Sequence, residues 1–301
     1  MTVQFLLSTY NGATYLKPLM DSLLKQDYPQ VEIIVRDDGS NDSTVDLLQE
    51  YTATYSNVKV FYGNNIGFAK SFLKLLQLSS PTSDYFAFCD QDDVWQPDKI
   101  LRAVKFLSQR SPHTPALYCS RLTVVNQNLE FISYSEILPK PFLFPNALVQ
   151  GSIRGCTMVF NQAARQLFQE FPQTPIGHDW WVYLVVSAFG NVIYDKESRI
   201  LYRQHTGNVY GISLGFIDRW KEKIARFFNY DNSHPIVKQA QEFKHLYGHS
   251  LSQEQRTSLD RLLGSRKFFV WRLKYALFCD VYRQLACDNL ILKVMLVLNR
   301  V

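Results

Sequence analysis

Over the first 109 residues of a 301-residue chain, four apolar runs alternate with four segments of helical spacing, and nothing else constrains the fold as strongly. Residues 3–8, 31–36, 58–62 and 85–89 are short and strand-like. Residues 15–26, 43–55, 67–78 and 97–109 carry apolar side chains three and four apart, as in Leu16, Leu19, Met20, Leu23 and Leu24. Strands separated by helices form βαβ units, and βαβ units form a parallel sheet. The predicted class is α/β, a Rossmann-like, mixed, mostly parallel sheet flanked by helices. Ligands of such sheets bind at the carboxyl ends of the strands. Residues 116–214 read as mixed, with strands at 116–119 and 156–160 and helices at 161–171 and 179–189. Three prolines within 139–145 suggest a loop over the site. From 214 onward the pattern is helical, so the expected division is a catalytic domain at 1–214 and a helical extension at 215–301.

Polar clusters stand at the predicted strand ends. Asp90-Gln91-Asp92-Asp93 follows the fourth strand. Three carboxylates in four residues repel one another and invite a shared divalent cation, with oxygen ligands selecting Mg²⁺ or Mn²⁺. A solvated turn capping the next helix is an equally good reading. Asp37-Asp38-Gly39-Ser40 could bind ribose hydroxyls, or be an ordinary Asp-Gly turn. Ser8-Thr9-Tyr10-Asn11-Gly12 could place Tyr10 against a base, or be a plain strand-to-helix turn. Asn64-Asn65-Ile66-Gly67 starts a helix whose free N–H groups point at the same edge. No GxGxxG and no GxxxxGK[ST] occurs, so a nucleotide would be held through its base, ribose and a metal-bridged diphosphate.

Two further clusters lie downstream. In Gly177-His178-Asp179-Trp180-Trp181, the carboxylate at a helix start is a candidate general base, although a helix cap is the favoured local reading. The tryptophan pair reads as core more readily than as a sugar platform. In Tyr202-Arg203-Gln204-His205, His205 could ligate a metal and Arg203 could neutralise a diphosphate, against the favoured blander reading of a surface loop after a strand.

Taken together and in this order, these motifs resemble the inverting family 2 glycosyltransferases with a GT-A fold, over about residues 2–210. Asp90 to Trp95 (DQDDVW), His178 to Trp181 (HDWW) and Tyr202 to His205 (YRQH) are most similar to a rhamnosyltransferase-like branch of cell-surface polysaccharide assembly. The resemblance implies a metal-binding DxD motif at Asp90-Gln91-Asp92, with Asp92 as metal ligand and Asp90 near both ribose and metal. It implies a nucleoside site at Ser8, Tyr10 and Asp38, with Thr9, Asp37, Asn65, Gly67 and Gln91 beside it, and a catalytic base at Asp179. It also implies an acceptor or diphosphate region at Gly155, Cys156, His178, Trp180 and Arg203, with His205 a third metal candidate. The implied donor is dTDP-rhamnose or a UDP-hexose, the cofactor Mn²⁺ or Mg²⁺, and the acceptor a saccharide or lipid-linked saccharide. A nucleotidyltransferase and a non-catalytic sugar-nucleotide-binding subunit are the competing readings. The first leaves His178-Asp179-Trp180-Trp181 without a role, and intact Asp90, Asp92 and Asp179 argue against the second.

Composition sharpens the tail. Apolar residues at 47% and charged residues at 20% exclude a disordered chain. The net charge of +5 is unevenly spread. Residues 215–301 carry 15 Lys and Arg against 8 Asp and Glu, whereas residues 1–214 carry 17 against 19. That distribution speaks against a general nucleic-acid binder and for a localised anionic partner. Residues 266–298 read as one long apolar and aromatic stretch interleaved with Arg and Lys. It suits a helix lying on a membrane surface, or one packed on the catalytic domain or a homodimer partner. Five scattered cysteines without a CxxC pair fit a reducing compartment. The N-terminus has no basic region or cleavage site typical of a signal peptide. The expected location is the cytoplasm, peripheral on the cytoplasmic face of the membrane.

Overall fold

The structure, a computed structural model, describes residues 1–205 and 234–301. The expected 214/215 domain boundary lies outside the described residues. The first 107 residues follow the predicted alternation, with one unpredicted two-residue strand, β5, between β4 and α4: β1 (Val3–Thr9), α1 (Ala13–Leu24), β2 (Val31–Asp37), α2 (Thr44–Thr54), β3 (Val58–Tyr62), α3 (Phe68–Leu78), β4 (Tyr85–Asp90), β5 (Val94–Trp95) and α4 (Lys99–Leu107). Then come β6 (Ala116–Val125), β7 (Phe131–Tyr134), α5 (Phe144–Ala147), β8 (Val159–Asn161), α6 (Gln162–Arg165), α7 (His178–Phe189) and β9 (Asn191–Arg203). After the gap follow α8 (Pro235–Tyr247), α9 (Gln253–Gly264), α10 (Phe269–Phe278) and α11 (Ala286–Val297).

Nine strands form one mixed sheet in the order β3-β2-β1-β4-β8-β6-β9-β5, with β7 on β6. β1 pairs in parallel with β2 and β4, and β3 with β2. The register sets Ser8 opposite Asp90 and Thr9 opposite Asp37, so three strands end abreast. Alternating side chains send Phe5 and Leu7 to one face and Leu6 to the other. The first face is covered by α1, α2 and α4 through Leu16, Leu48 and Ile100. The opposite face is covered by α3, α7 and the C-terminal helices, where Trp181 meets Phe243 of α8 at 6.1 Å between ring centroids. Burying each such large side chain contributes about 1.5–3 kcal/mol.

The middle of the chain departs from the sequence reading. The strand at 116–119 extends to Val125, because its later residues pair with β7 and β9. The predicted strand at 156–160 is a 3₁₀ turn, Gly155–Thr157, followed by the short β8. The helix expected over 161–171 is only α6, four residues long. The 13-residue β9 runs through Arg203, into the motif read as a loop after a strand, and Asp195, Lys196, Glu197, Ser198 and Arg199 interrupt its apolar pattern. Its pairing with β6 shifts register there, so sheet pairing rather than periodicity makes it a strand. The apolar stretch at 266–298 is two helices, α10 and α11, and not one.

Candidate active site

The carboxyl ends of β1, β2 and β4 open into a cleft of about 360 Å³. Its walls include Ser8, Thr9, Tyr10 and Asp38 from β1 and β2, Asn65 and Gly67 before α3, and Asp90, Gln91 and Asp92 after β4. Gly155, His178, Asp179 and His205 also line it. Four separate strand-end motifs and the two downstream clusters therefore meet in one place.

Several of these side chains build the cleft as well as line it. The Gln91 amide clamps Tyr10 from both sides, Oε1 accepting from Tyr10 N at 2.9 Å and Nε2 donating to Tyr10 O at 3.0 Å. A Cβ on Gly12 would stand 2.2 Å from Gln91 Oε1, so only glycine permits that clamp. The clamped Tyr10 ring remains exposed at the cleft rim. Asp38 is buried, ion-paired with Arg36, and accepts from Ile66 N and Gly67 N at 2.9 Å each. The backbone N–H groups at the start of α3 are thus spent on Asp38, which fixes the Asn65–Gly67 wall. Gly67 itself has φ +85°, a left-handed conformation that favours glycine.

The carboxylates are crowded. Burial, then Asp92, then Asp179 push the Asp90 carboxyl up to about 7. His205 Nε2 lies 2.9 Å from Asp92 Oδ2, with its ring against Tyr15. Asp93 is fully buried below and accepts from Arg203 N at 3.1 Å. Desolvation raises its carboxyl well above the usual range, with Asp92 and Asp90 adding to the effect. Beneath them the buried Lys99 ammonium rests 3.3 Å from the centroid of the Trp95 ring, and burial lowers it to about 8. A partly exposed, oxygen-rich pair of Asp90 and Asp92 fits a hard divalent cation, whose charge would relieve this repulsion. Asp90, Asp93 and Cys156 also bring one ligand atom each within 4.8 Å. However, burial pushes the Cys156 thiol well up, and a protonated thiol suits neither Mg²⁺ nor Mn²⁺.

Asp179 stands in the first turn of α7 and accepts from Trp180 N at 2.7 Å. The N-cap is Gly177, so the carboxylate is not the cap that the local pattern favoured. His178 packs its ring 3.9 Å from Phe72 and edge-on to Phe88. It is buried, and neither ring nitrogen has a hydrogen-bond partner among the described residues. Burial lowers its pKa to about 4, which keeps it neutral near pH 7.

Four residues expected at the ligand are placed elsewhere. Asp37 is buried off the cleft, where its carboxylate accepts from Gly39 N, Ser40 N, Ser40 Oγ and Thr9 Oγ1; it holds the turn. Arg203 is buried, donates from Nε to Asp92 O at 2.8 Å and lies over the Tyr15 ring, so it braces the acidic loop from behind. Cys156 points under the carboxylates and is sealed from the cleft. Trp180 donates from Nε1 to Ala147 O at 2.6 Å and packs over Gly151, fastening the loop before the 3₁₀ turn. Conversely, Arg154, Tyr202, Phe68 and Phe72 line the cleft unforeseen. Arg154 lowers the Asp90 carboxyl and is a cation within reach of it. Its position directly before Gly155 is the one signal that could have found it.

A family model for glycosyl transferase family 2 matches residues 5–172, more than half of the chain. The chain belongs to glycosyl transferase family 2. Among relatives of this family-2 glycosyltransferase is the dTDP-rhamnosyl transferase RfbG of Shigella flexneri. The two are 27% identical over 232 residues, covering 71% of this chain and 77% of that one. Residues 1–349 of TarS from S. aureus, solved with UDP-GlcNAc, share the GT-A fold. The TM-score is 0.56 at 18% identity, over 92% of this chain and 81% of that chain. The mannosyltransferase PcManGT of Pyrobaculum calidifontis, solved with GDP-Man and Mn²⁺, gives a TM-score of 0.51 at 14% identity, over 98% and 86%.

Proposed function

We propose that this family-2 glycosyltransferase moves a sugar from a nucleotide-sugar to a saccharide or lipid-linked saccharide, with inversion at the anomeric carbon, in cell-surface polysaccharide synthesis. The observation that carries this reading is that Asp179 and the Asp90–Asp92 pair line the same cleft as the Ser8–Tyr10 and Asp38 shelf. The shelf holds the nucleoside, with the Tyr10 ring against the base. Asp90 and Asp92 would hold Mn²⁺ or Mg²⁺, with His205 beside Asp92; the bound ion would offset negative charge on the diphosphate. Asp179 takes the proton from an acceptor hydroxyl. That oxygen bonds to the anomeric carbon on the face opposite the nucleotide, and the bond to the diphosphate oxygen breaks with its electron pair leaving on that oxygen. One displacement inverts the configuration. Similarity to RfbG favours dTDP-rhamnose as donor over a UDP-hexose.

A thermal-shift screen of dTDP-rhamnose, UDP-hexoses and GDP-mannose with Mn²⁺ tests the donor. A ligand at a hundredfold excess over its dissociation constant adds about 2.7 kcal/mol. The expected result is a shift with dTDP-rhamnose that needs the metal. No shift with any nucleotide-sugar would sink the reading, and a shift only with UDP-sugars would reassign the donor.

A further inference from the structure

The helix α10 turns its apolar side chains to solvent. Of its ten residues only Tyr275 and Ala276 are buried. Phe269, Val270, Trp271, Leu277 and Phe278 are between 52% and 80% exposed, and Phe268 just before it is 60% exposed. Leu290, Val294 and Leu298 of the neighbouring α11 segment extend the patch. Contiguous apolar surface of this kind marks an interaction site. No helix of the described residues is long and apolar enough to cross a membrane.

Two observations point to the occupant. Residues 261–301 carry eight basic residues against Asp280 and Asp288, and Lys267 and Lys274 are exposed among the aromatics. Aromatic side chains interleaved with cations match an anionic lipid surface, where the rings sink below the headgroups and the cations meet the phosphates. A second copy would set this rim of eight cations and two carboxylates against its own like, so the charge balance favours an anionic surface over self-association.

The patch is also fastened to the cleft. The α10–α11 connection is bound by Asn146, which is fully buried: its Nδ2 donates to Tyr282 O at 2.8 Å and its Oδ1 accepts from Gln284 Nε2 at 3.2 Å. The same Asn146 Oδ1 accepts from Tyr183 OH at 2.7 Å, and Ala147 O next to it accepts from Trp180 Nε1. Tyr183 and Trp180 belong to α7, the helix that carries Asp179. Lys140 Nζ donates to Arg283 O at 2.8 Å, and Gln284 N donates to Gln150 Oε1 at 2.7 Å. The connection is thus bonded to the loop and helix at the acceptor end of the cleft.

We infer that α10, with the exposed edge of α11, is a docking surface for an anionic lipid bilayer, clamped through Asn146 to the helix bearing Asp179 so that docking holds the acceptor end of the cleft in a fixed attitude to the membrane. Docking of α10 needs no assumption about the cleft. Its consequence, that the acceptor is membrane-borne, rests on glycosyl transfer there.

The test is flotation of the full-length protein with phosphatidylcholine vesicles, with and without phosphatidylglycerol. Wild-type protein is expected to float with the phosphatidylglycerol vesicles. Phe269→Ser with Phe278→Ser should lower bound protein at least tenfold, while thermal unfolding and the nucleotide-sugar shift stay unchanged. Lys267→Glu with Lys274→Glu, in which the apolar face is intact, should weaken binding at low salt and less so at high salt. Wild-type protein that stays in solution, or a serine variant that floats like wild type, overturns the inference. A wild-type dimer that the serine substitutions split into monomers also overturns it, with a second copy as the occupant. Flotation uses no donor or acceptor, so its failure is separate from failure of the transfer reading.

Discussion

The cleft at the strand ends and the face of α10 place their unusual residues in opposite ways. In the cleft, charged groups are driven inward: Asp38 and Asp93 are buried, and Asp90 is pushed up to about 7. On α10, aromatic residues are driven outward, to as much as 80% exposure at Phe278. Each arrangement costs folding free energy, since buried charges lose water and exposed rings keep it ordered. The cleft offsets part of its cost internally, through the Arg36–Asp38 pair and the Lys99 ammonium. The rings of the α10 face meet one another and a neighbouring cation, Phe268 edge-on to Trp271 and the Arg272 guanidinium over Phe269, and stay exposed all the same. The inward charges stand where the proposed donor would bind, and the outward rings where the proposed bilayer would.

Substitutions should separate the two regions, beginning with the cleft. Asp179→Asn should lower turnover on the order of 10²–10⁴-fold, the usual yield of a general base, while the donor shift survives. Steady-state and thermal-shift measurements on one preparation check this, and near-normal turnover would remove Asp179 from the chemistry. Asp92→Ala should abolish stimulation by added Mn²⁺, read as activity against metal concentration with and without EDTA; an unchanged metal response would break the assignment.

Between the two regions, Asn146→Ala should cost about 1–3 kcal/mol in chemical denaturation, because Tyr183 OH and Gln284 Nε2 would lose their buried acceptor. A loss below 0.5 kcal/mol would mean that the clamp does not hold α10 to α7.

His178 supplies a pH test. Its folded pKa is lowered to about 4 from an ordinary 6.5, so the unfolded chain binds its proton first as pH falls. The stability it contributes is complete above pH 6.5 and is lost toward pH 4, at up to about 1.4 kcal/mol per pH unit. His178→Phe should flatten that part of the stability curve, and an unaltered slope would show that another group titrates there. The smallest expected effect is at α10: Phe278→Ser should leave stability within about 0.5 kcal/mol of wild type, since the side chain is bare in the folded chain. A larger loss would mean that Phe278 is covered by protein and would erase the contrast.

How much was legible depended on whether a residue's environment is local. The β1–α4 alternation was readable because each element's apolar period reflects the face it buries, and β3 ended at the predicted residues. The span of β9 was not, because Asp195 sits in its middle for reasons three-dimensional: its carboxylate accepts from Arg102 and from Tyr118 OH. Motif residues were readable as a set but not one by one. Asp37 and Asp38 are adjacent and chemically identical, yet the strand sends Asp38 to the cleft and Asp37 into the turn. Gln91 reads in sequence as the spacer of a DxD motif, and its hold on Tyr10 emerges only where β4 lies beside β1.

By itself the sequence determined the α/β class, the family, and the carboxylates and turns that gather at one sheet edge, since these depend on periodicity and on motifs a few residues long. Tertiary structure alone decided which of those groups face the cleft, that Arg203 and Trp180 are bonded to the loops around it, and that α10 exposes its rings while the segment after it is bonded to α7 through Asn146. Those facts depend on contacts such as Asn146 with Tyr282, 136 residues apart, and no local pattern records a partner at that distance.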